Sequence, residues 1–309
     1  MPQSDNSHLP RPCPICEGQS FWPVSFTDPA SGKIVRRSDG YYWRLCRTCG
    51  SASPSSRICR EDLQKYWDEN RVEESAFRVT REVWDRRLAE SKVWGKRTFD
   101  FVAPWTRPGG RRFLDIGCGL GGTVAGFQEN GWDARGLDPD PNTKAFHEEQ
   151  GLRTRIGRFE DEPAGEACDV ICIAHAIYFV EEPRAFVRQV RKTLSDQGLF
   201  VIVSTHLLSS MTAGRPGFAH TWYPTRESLF YLLELEGFEI LSSRSIKGSD
   251  MILARASGAK KPKGYPVKAW LAHKTQTLRH RTLGRILLLG LTAAKTLRKA
   301  GKRTTDGHR

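Results

Sequence analysis

Two groups of residues in this 309-residue chain have the types and spacing to do chemistry. The first is Cys13-Pro-Ile-Cys16 and Cys46-Arg-Thr-Cys49, two C-x-x-C pairs with 29 residues between them. Four thiolates so spaced can close tetrahedrally on Zn²⁺, and four protein ligands leave no open position for a substrate. The metal is therefore expected to be structural, contributing on the order of 10–16 kcal/mol to folding a small module. Gly18 and Gly50 follow the two pairs closely, and the aromatic-rich stretches 21–26 and 41–45 read as the short strands of a zinc ribbon. A catalytic or redox pair is the weaker alternative, and Cys59 is left over as a small apolar residue.

The second group is residues 112–122, RFLDIGCGLGG. A short apolar strand carries Asp115 near its end and breaks into Gly117, Gly119, Gly121 and Gly122. Strand, glycine turn and the helix start at 123–127 make a cradle for a nucleotide-like ligand. Gly117, Gly119 and Gly122 also fit the dinucleotide pattern G-x-G-x-x-G, which alone is a weak signal. Asp115 tips the choice, because an acid there suits a ligand bearing an ammonium and a sulfonium better than a pyrophosphate. Further on, the strand 132–137 leads into Asp138, a natural acceptor for ribose hydroxyls. A glycine turn in an unrelated α/β protein is the bland alternative.

At this point the chain resembles the class I S-adenosylmethionine-dependent methyltransferases, and LDIGCGLGG is similar to their first motif. The elements around it agree. Strands are expected at 112–116, 132–137, 153–156, 169–173 and 199–203, and helices at 141–150, 183–194 and 226–236. Segments 238–246 and 250–256, joined by Lys247-Gly248-Ser249, read as a closing hairpin. The expected fold class is α/β, a Rossmann-like seven-stranded sheet with a small N-terminal zinc ribbon and a basic helical tail. The expected domains are 1–57 (ribbon), 58–104 (helical cap), 105–257 (methyltransferase) and 258–309 (tail).

Open α/β sheets bind ligands at the C-terminal ends of their strands. The resemblance then implies that Asp138 holds the ribose, that Glu160 and Asp161 flank the adenine, and that the backbone of Gly117, Cys118 and Gly119 meets the methionine moiety. Asp115, Gly121, Pro139 and Ala174 complete the expected cofactor site. His175 is the first candidate for a substrate-facing base. It reads equally as an orienting or core residue. Tyr178 and Phe179 stand where the family often has Glu-His, which argues against a carboxylate-bound Mg²⁺. His206, His220 and Tyr223 form a second tier, beside a loop at 211–219 that reads as a lid.

The whole chain carries a formal charge of +13, and residues 258–309 account for it with fourteen Lys and Arg against one acid. The catalytic region is thus neutral and no nucleic-acid footprint. Within the tail, 283–299 is amphipathic and basic, so it can lie on an anionic membrane surface or dock on protein. Eight cysteines without a secretory signal point to reduced thiols and a cytoplasmic protein, peripheral at the inner face of the membrane if the tail binds lipid. The likeness to zinc-binding class I methyltransferases implies methyl transfer to O or C of a carbohydrate, glycan intermediate or related small molecule. An RNA methyltransferase and an inactive cofactor-binding module are the alternatives.

Overall fold

The computed structural model describes residues 11–27, 34–35, 37–38, 41–56, 58, 61, 63, 81–162, 166–205, 220–246, 248–258, 262 and 270–271. The expectations placed on Cys59, on most of the helical stretch 61–80, on His206 and the loop 211–219, and on the amphipathic stretch 283–299 lie outside these residues.

The N-terminal module holds six short strands: β1 (Phe21–Pro23), β2 (Phe26–Thr27), β3 (Ile34–Val35), β4 (Arg37–Ser38), β5 (Tyr41–Cys46) and β6 (Ala52–Pro54). Antiparallel β5 is the hub, pairing with β1, β4 and β6. Its length brings Cys46 opposite Phe21, so the second cysteine knuckle turns back beside the first.

Helix α1 (Arg81–Val102) leads into the central sheet. The order that follows is β7 (Arg112–Ile116), α2 (Gly122–Gln128), β8 (Asp133–Asp138), α3 (Lys144–Glu149), β9 (Thr154–Ile156), β10 (Cys168–Ala174), α4 (Pro183–Thr193) and β11 (Leu194–Thr205). Helix α5 (Arg226–Leu235) and the hairpin β12 (Phe238–Ile246) and β13 (Ser249–Ala256) complete it. The seven strands lie in the order β12-β13-β11-β10-β7-β8-β9. Strands β7 to β11 are parallel, whereas β13 runs antiparallel to both of its neighbours. Core strands covered on both faces must be apolar throughout, and β10 shows it: Val170, Ile171, Cys172 and Ile173 are all buried.

The chain leaves β7 outward through β8 and β9, then returns on the other side as β10. That reversal opens a crevice beyond the C-terminal ends of β7 and β10, where such sheets take ligands. Two of the expected boundaries shift for a local reason. The helix expected at 141–150 is a 3₁₀ turn, Pro141–Thr143, followed by α3, because Asp140 O accepts from both Thr143 N (3.2 Å) and Thr143 Oγ1 (2.7 Å). The strand expected at 199–203 runs on to Thr205, whose partner is Ser249 at the start of β13.

Helix α1 is tied to helix α2 by a glycine crossing. A Cβ on Gly95 would collide with the backbone carbonyl of Gly122, and one on Gly126 would sit 2.9 Å from Gly95 C. Beside it Ser91 Oγ accepts the Gly122 amide at 3.1 Å, satisfying a donor at the start of α2 that has no partner within the helix. Below the crossing, Phe113 and Phe127 stack at 3.7 Å, and Phe99 and Trp132 pack edge-on to Phe127. Gly95→Ala should therefore force the helices apart and destabilise the protein by about 1–3 kcal/mol. Urea unfolding of the variant measures this, and an unchanged midpoint would refute the crossing.

Candidate functional site

The cradle is built by one loop and one carboxylate. After β7 the backbone turns through Gly117, Gly119 and Gly121 at φ +68, +51 and +74°. The amides of Gly117 and Cys118 both donate to Leu137 O, at 2.7 and 3.1 Å, which fastens the loop to β8. Asp138, at the end of β8, accepts the Gly119 amide on Oδ2 at 2.8 Å and the Asp140 amide on Oδ1 at 2.9 Å. A Cβ at Gly119 would meet nothing within 4 Å, so the loop presents bare backbone to open space. A Cβ at Gly117 would press 2.9 Å from Ala176 Cβ, so that glycine serves packing against the segment after β10.

Asp115 stands beneath this loop, fully buried, and burial pushes its carboxyl up to about 8. Thr123 hydrogen-bonds it and Asp138 lies near enough to repel it, while its Oδ1 has no hydrogen-bond partner. A buried acceptor without a partner beside a bare-backbone cradle suits a ligand that brings a cationic donor, as the ammonium of S-adenosylmethionine would. Cys118 is buried, with its sulfur against Gly136. Pro139, Glu160 and Asp161 are exposed on the rim, the last two in a 3₁₀ turn whose Phe159 is buried. Ala174 ends β10, half-buried, next to His175.

His175 is held at φ +55° with its amide donating to Val203 O at 2.7 Å. A left-handed backbone at a residue with a side chain costs on the order of 1–3 kcal/mol and marks a position kept for its geometry. The Trp94 ring meets the imidazole edge-on at 5.7 Å, and Nδ1 lies 3.5 Å from Thr205 Oγ1. Burial lowers its pKa, so the ring is neutral around pH 7.

His220 and Tyr223 gather elsewhere, around Tyr178. The His220 ring stacks on Tyr178 at 4.7 Å, Tyr223 lies nearly parallel to Tyr178 at 5.7 Å, and Phe179 closes the group at 5.0 Å from His220. Burial raises the Tyr223 phenol to about 12 and pushes Tyr178 up further, so both hydroxyls stay protonated donors at neutral pH. The ring contacts of His175 among the described residues are with Trp94, those of His220 with the tyrosine group. The three candidate catalytic residues thus occupy two places, one against α1 and one against the N-terminal module.

That module holds the second place. Ala52 and Tyr223 exchange backbone hydrogen bonds of 2.9 and 2.8 Å, and Thr225 Oγ1 donates to Gly50 O at 2.9 Å. Arg11 donates to Thr221 O at 3.1 Å, and Thr221 Oγ1 donates to Val180 O at 2.8 Å. The sulfurs of Cys13, Cys16, Cys46 and Cys49 lie within 4.8 Å of one another, a donor set that fits one tetrahedral Zn²⁺. Hydrogen bonds from Cys13 and Cys16 lower the Cys46 thiol, whereas burial and its sulfur neighbours raise Cys49. Gly50 follows the last of these cysteines directly, so the thiol cluster and the Tyr223 segment share one piece of backbone.

Sequence reasoning missed Tyr178 as the centre of the aromatic group, Ser91 and Gly95 at the helix crossing, and His147 behind the glycine loop. His147 lies on an exposed-looking charged stretch, KAFHEE, yet is fully buried.

A family model described as a methyltransferase domain matches residues 83–243, starting after the cysteine module. Among curated proteins, a methyltransferase of Staphylococcus carnosus described as uncharacterized is 28% identical over 97 residues, 30% of this chain and 47% of that protein. The chain thus spans about half the length of that relative. Among solved structures, magnesium protoporphyrin IX methyltransferase of Synechocystis is 15% identical, with a TM-score of 0.49 over 64% of this chain and 100% of that one. A SAM-dependent methyltransferase of Archaeoglobus fulgidus is 19% identical, with a TM-score of 0.43 over 56% of this chain and 98% of that one.

Two outcomes follow from this geometry. Purified protein should hold about one zinc per chain by atomic emission, and Cys46→Ser should lose it; full metal content in the variant would exclude the four-thiolate site. The second concerns Asp115, whose folded pKa of about 8 lies above its ordinary 3.8. The ligand-free protein therefore loses stability as pH rises from about 4 to about 8 and is level above that. Asp115→Asn escapes this loss. Its melting temperature relative to the native protein should climb from pH 5 to pH 8, and a constant difference would contradict the buried neutral carboxyl.

Proposed function

This chain belongs to the methyltransferase-domain family, and from that we propose that it moves the methyl group of S-adenosylmethionine to O or C of a carbohydrate, glycan intermediate or related small molecule. The observation that carries the acceptor side is the ring group Tyr178, Phe179, His220 and Tyr223. Aromatic faces with protonated phenols suit a neutral, hydroxyl-bearing acceptor, taking its C–H faces on the rings and its hydroxyls on the phenolic tips.

When bound, S-adenosylmethionine supplies a sulfonium-borne methyl that is already a strong electrophile, so positioning is the protein's main task. The Asp138 carboxylate is placed to take ribose hydroxyls while still holding the Gly119 amide. Asp115, a neutral carboxyl without ligand, would release its proton to solvent and accept the ammonium as a carboxylate, and the bare backbone at Gly119 would allow the close approach. His175, neutral through burial, accepts the proton that the acceptor's hydroxyl or acidic carbon gives up. With Nδ1 against Thr205 Oγ1 at 3.5 Å, Nε2 would be the nitrogen that takes the acceptor's proton. The cysteine module acts as a wall, fixing Tyr223 through Ala52 rather than joining the chemistry.

Cofactor carrying a labelled methyl group, offered with extract of the source cells, tests this reading. Label in soluble small-molecule or lipid-linked fractions supports it; label that RNase releases would replace it with RNA methylation. On the acceptor so found, kcat/KM should fall on an acid limb below pH 6.5, the ordinary histidine value above which His175 does not titrate. His175→Gln should remove that limb and lower kcat about 10²–10⁴-fold. A limb that persists in the variant would take the base role from His175.

A further inference from the structure

We propose that His147 is a positioning residue that pre-forms the cofactor loop, holding the Gly119 peptide from the side away from the ligand. The proposal rests on the reading of the glycine loop as the S-adenosylmethionine site.

The Gly119 peptide has a problem that its own neighbourhood cannot solve. At φ +51° the chain is in neither strand nor helix, so no regular ladder takes its carbonyl. Gly119 is half-buried, and a partly shielded carbonyl left without a partner still gives up part of a hydrogen bond's stabilisation and lets the loop sample other conformations. His147 Nε2 lies 2.7 Å from Gly119 O, from a position 28 residues further along the chain. A carbonyl can only accept, so Nε2 carries the proton and Nδ1 is the ring's acceptor. That acceptor is met by Thr154 Oγ1 at 2.9 Å, on the first residue of β9. Both ring nitrogens are thereby used and the imidazole cannot turn.

The ring is also fixed along its own segment. His147 is fully buried on α3, and its carbonyl accepts the Leu152 amide at 2.9 Å. The Leu152 side chain in turn fills the space that a Cβ on Gly121 would need, with His147 Cδ2 beside it at 3.6 Å from that point. So His147 and Leu152 close the back of the loop, while Asp138 Oδ2 holds the Gly119 amide at 2.8 Å. The Gly119 N–H is held by one carboxylate and its C=O by one imidazole. What remains is the face where the glycine lacks a Cβ, and that face is open.

A loop held this way before the ligand arrives spares the ordering entropy at binding, so its loss should appear in affinity rather than in the chemical step. His147→Leu removes both ring hydrogen bonds while keeping an apolar side chain. His147→Gln can still place an amide N–H near the Gly119 carbonyl. Calorimetric titration with S-adenosylmethionine and its demethylated product, on the full chain, reads the effect directly. His147→Leu should raise Kd for both about 10-fold and raise KM for the cofactor in step, with kcat at saturating cofactor within about 2-fold. His147→Gln should recover most of the affinity. A general packing role would not produce that split between KM and kcat or that rescue. Equal affinity in His147→Leu and the native protein, a fall confined to kcat, or no recovery in a folded Gln variant would each overturn the proposal. If the native protein itself binds neither ligand, the reading of the site falls and the proposal falls with it.

Discussion

A backbone loop that must stay bare to receive a ligand cannot be held by its own side chains, and much of this molecule answers that constraint. Gly119 has no side chain to pack and faces open space, so the loop is fastened from outside. Leu137 O takes two amides, Asp138 takes the Gly119 amide, and His147 meets the Gly119 carbonyl. Ser91, from a helix before the sheet, takes the Gly122 amide that follows. The anchors come from three elements, β8, α3 and α1, and the strand order around β7 is what brings them to one place. The carboxylates there sit under opposite conditions. Asp138 accepts two backbone amides, whereas Asp115 is buried with one oxygen unsatisfied and is pushed up to about 8.

The acceptor side is held by a different device. Residues 220–225 have no regular structure of their own, and two neighbours support them. The turn at 177–180 takes the Thr221 amide and hydroxyl, and the cysteine module takes Tyr223 and Thr225. Thr225 does double duty, since its hydroxyl accepts the Ser228 amide at 3.1 Å and caps α5 while donating to Gly50 O. Cys13, Ile15, Cys46 and Cys49 belong to the same apolar cluster as Phe186, Trp222 and Leu229. The module therefore shares its core with the central α/β body, although its strands form two sheets of their own.

The elements that carry the cofactor loop were legible because their signals are local. RFLDIGCGLGG reads as strand, turn and helix from eleven consecutive residues, and β7 runs over the expected 112–116. The apolar run of β10 and the hairpin β12–β13 are equally local, and the two C-x-x-C pairs announce a four-thiol cluster through residue type and spacing alone. His147 was not legible. It sits among charged residues in KAFHEE, and nothing near it in the chain shows that this face of a short helix turns inward onto a loop 28 residues back. Gly95 was hidden for a similar reason, being a poor helix former in a charged helix until the carbonyl of Gly122 is seen against it.

Residue chemistry thus settled on its own which segments could be strand, cradle and metal knuckle, since each depends on covalent neighbours and short-range periodicity. Tertiary structure decided how they are joined. It paired His220 with Tyr178 rather than with His175, set His175 against Trp94, and linked Ala52 to Tyr223 across 171 residues of chain. Such contacts follow from strand order and from which faces must be buried together. Those are properties of the whole packed chain, and no stretch of it carries them alone.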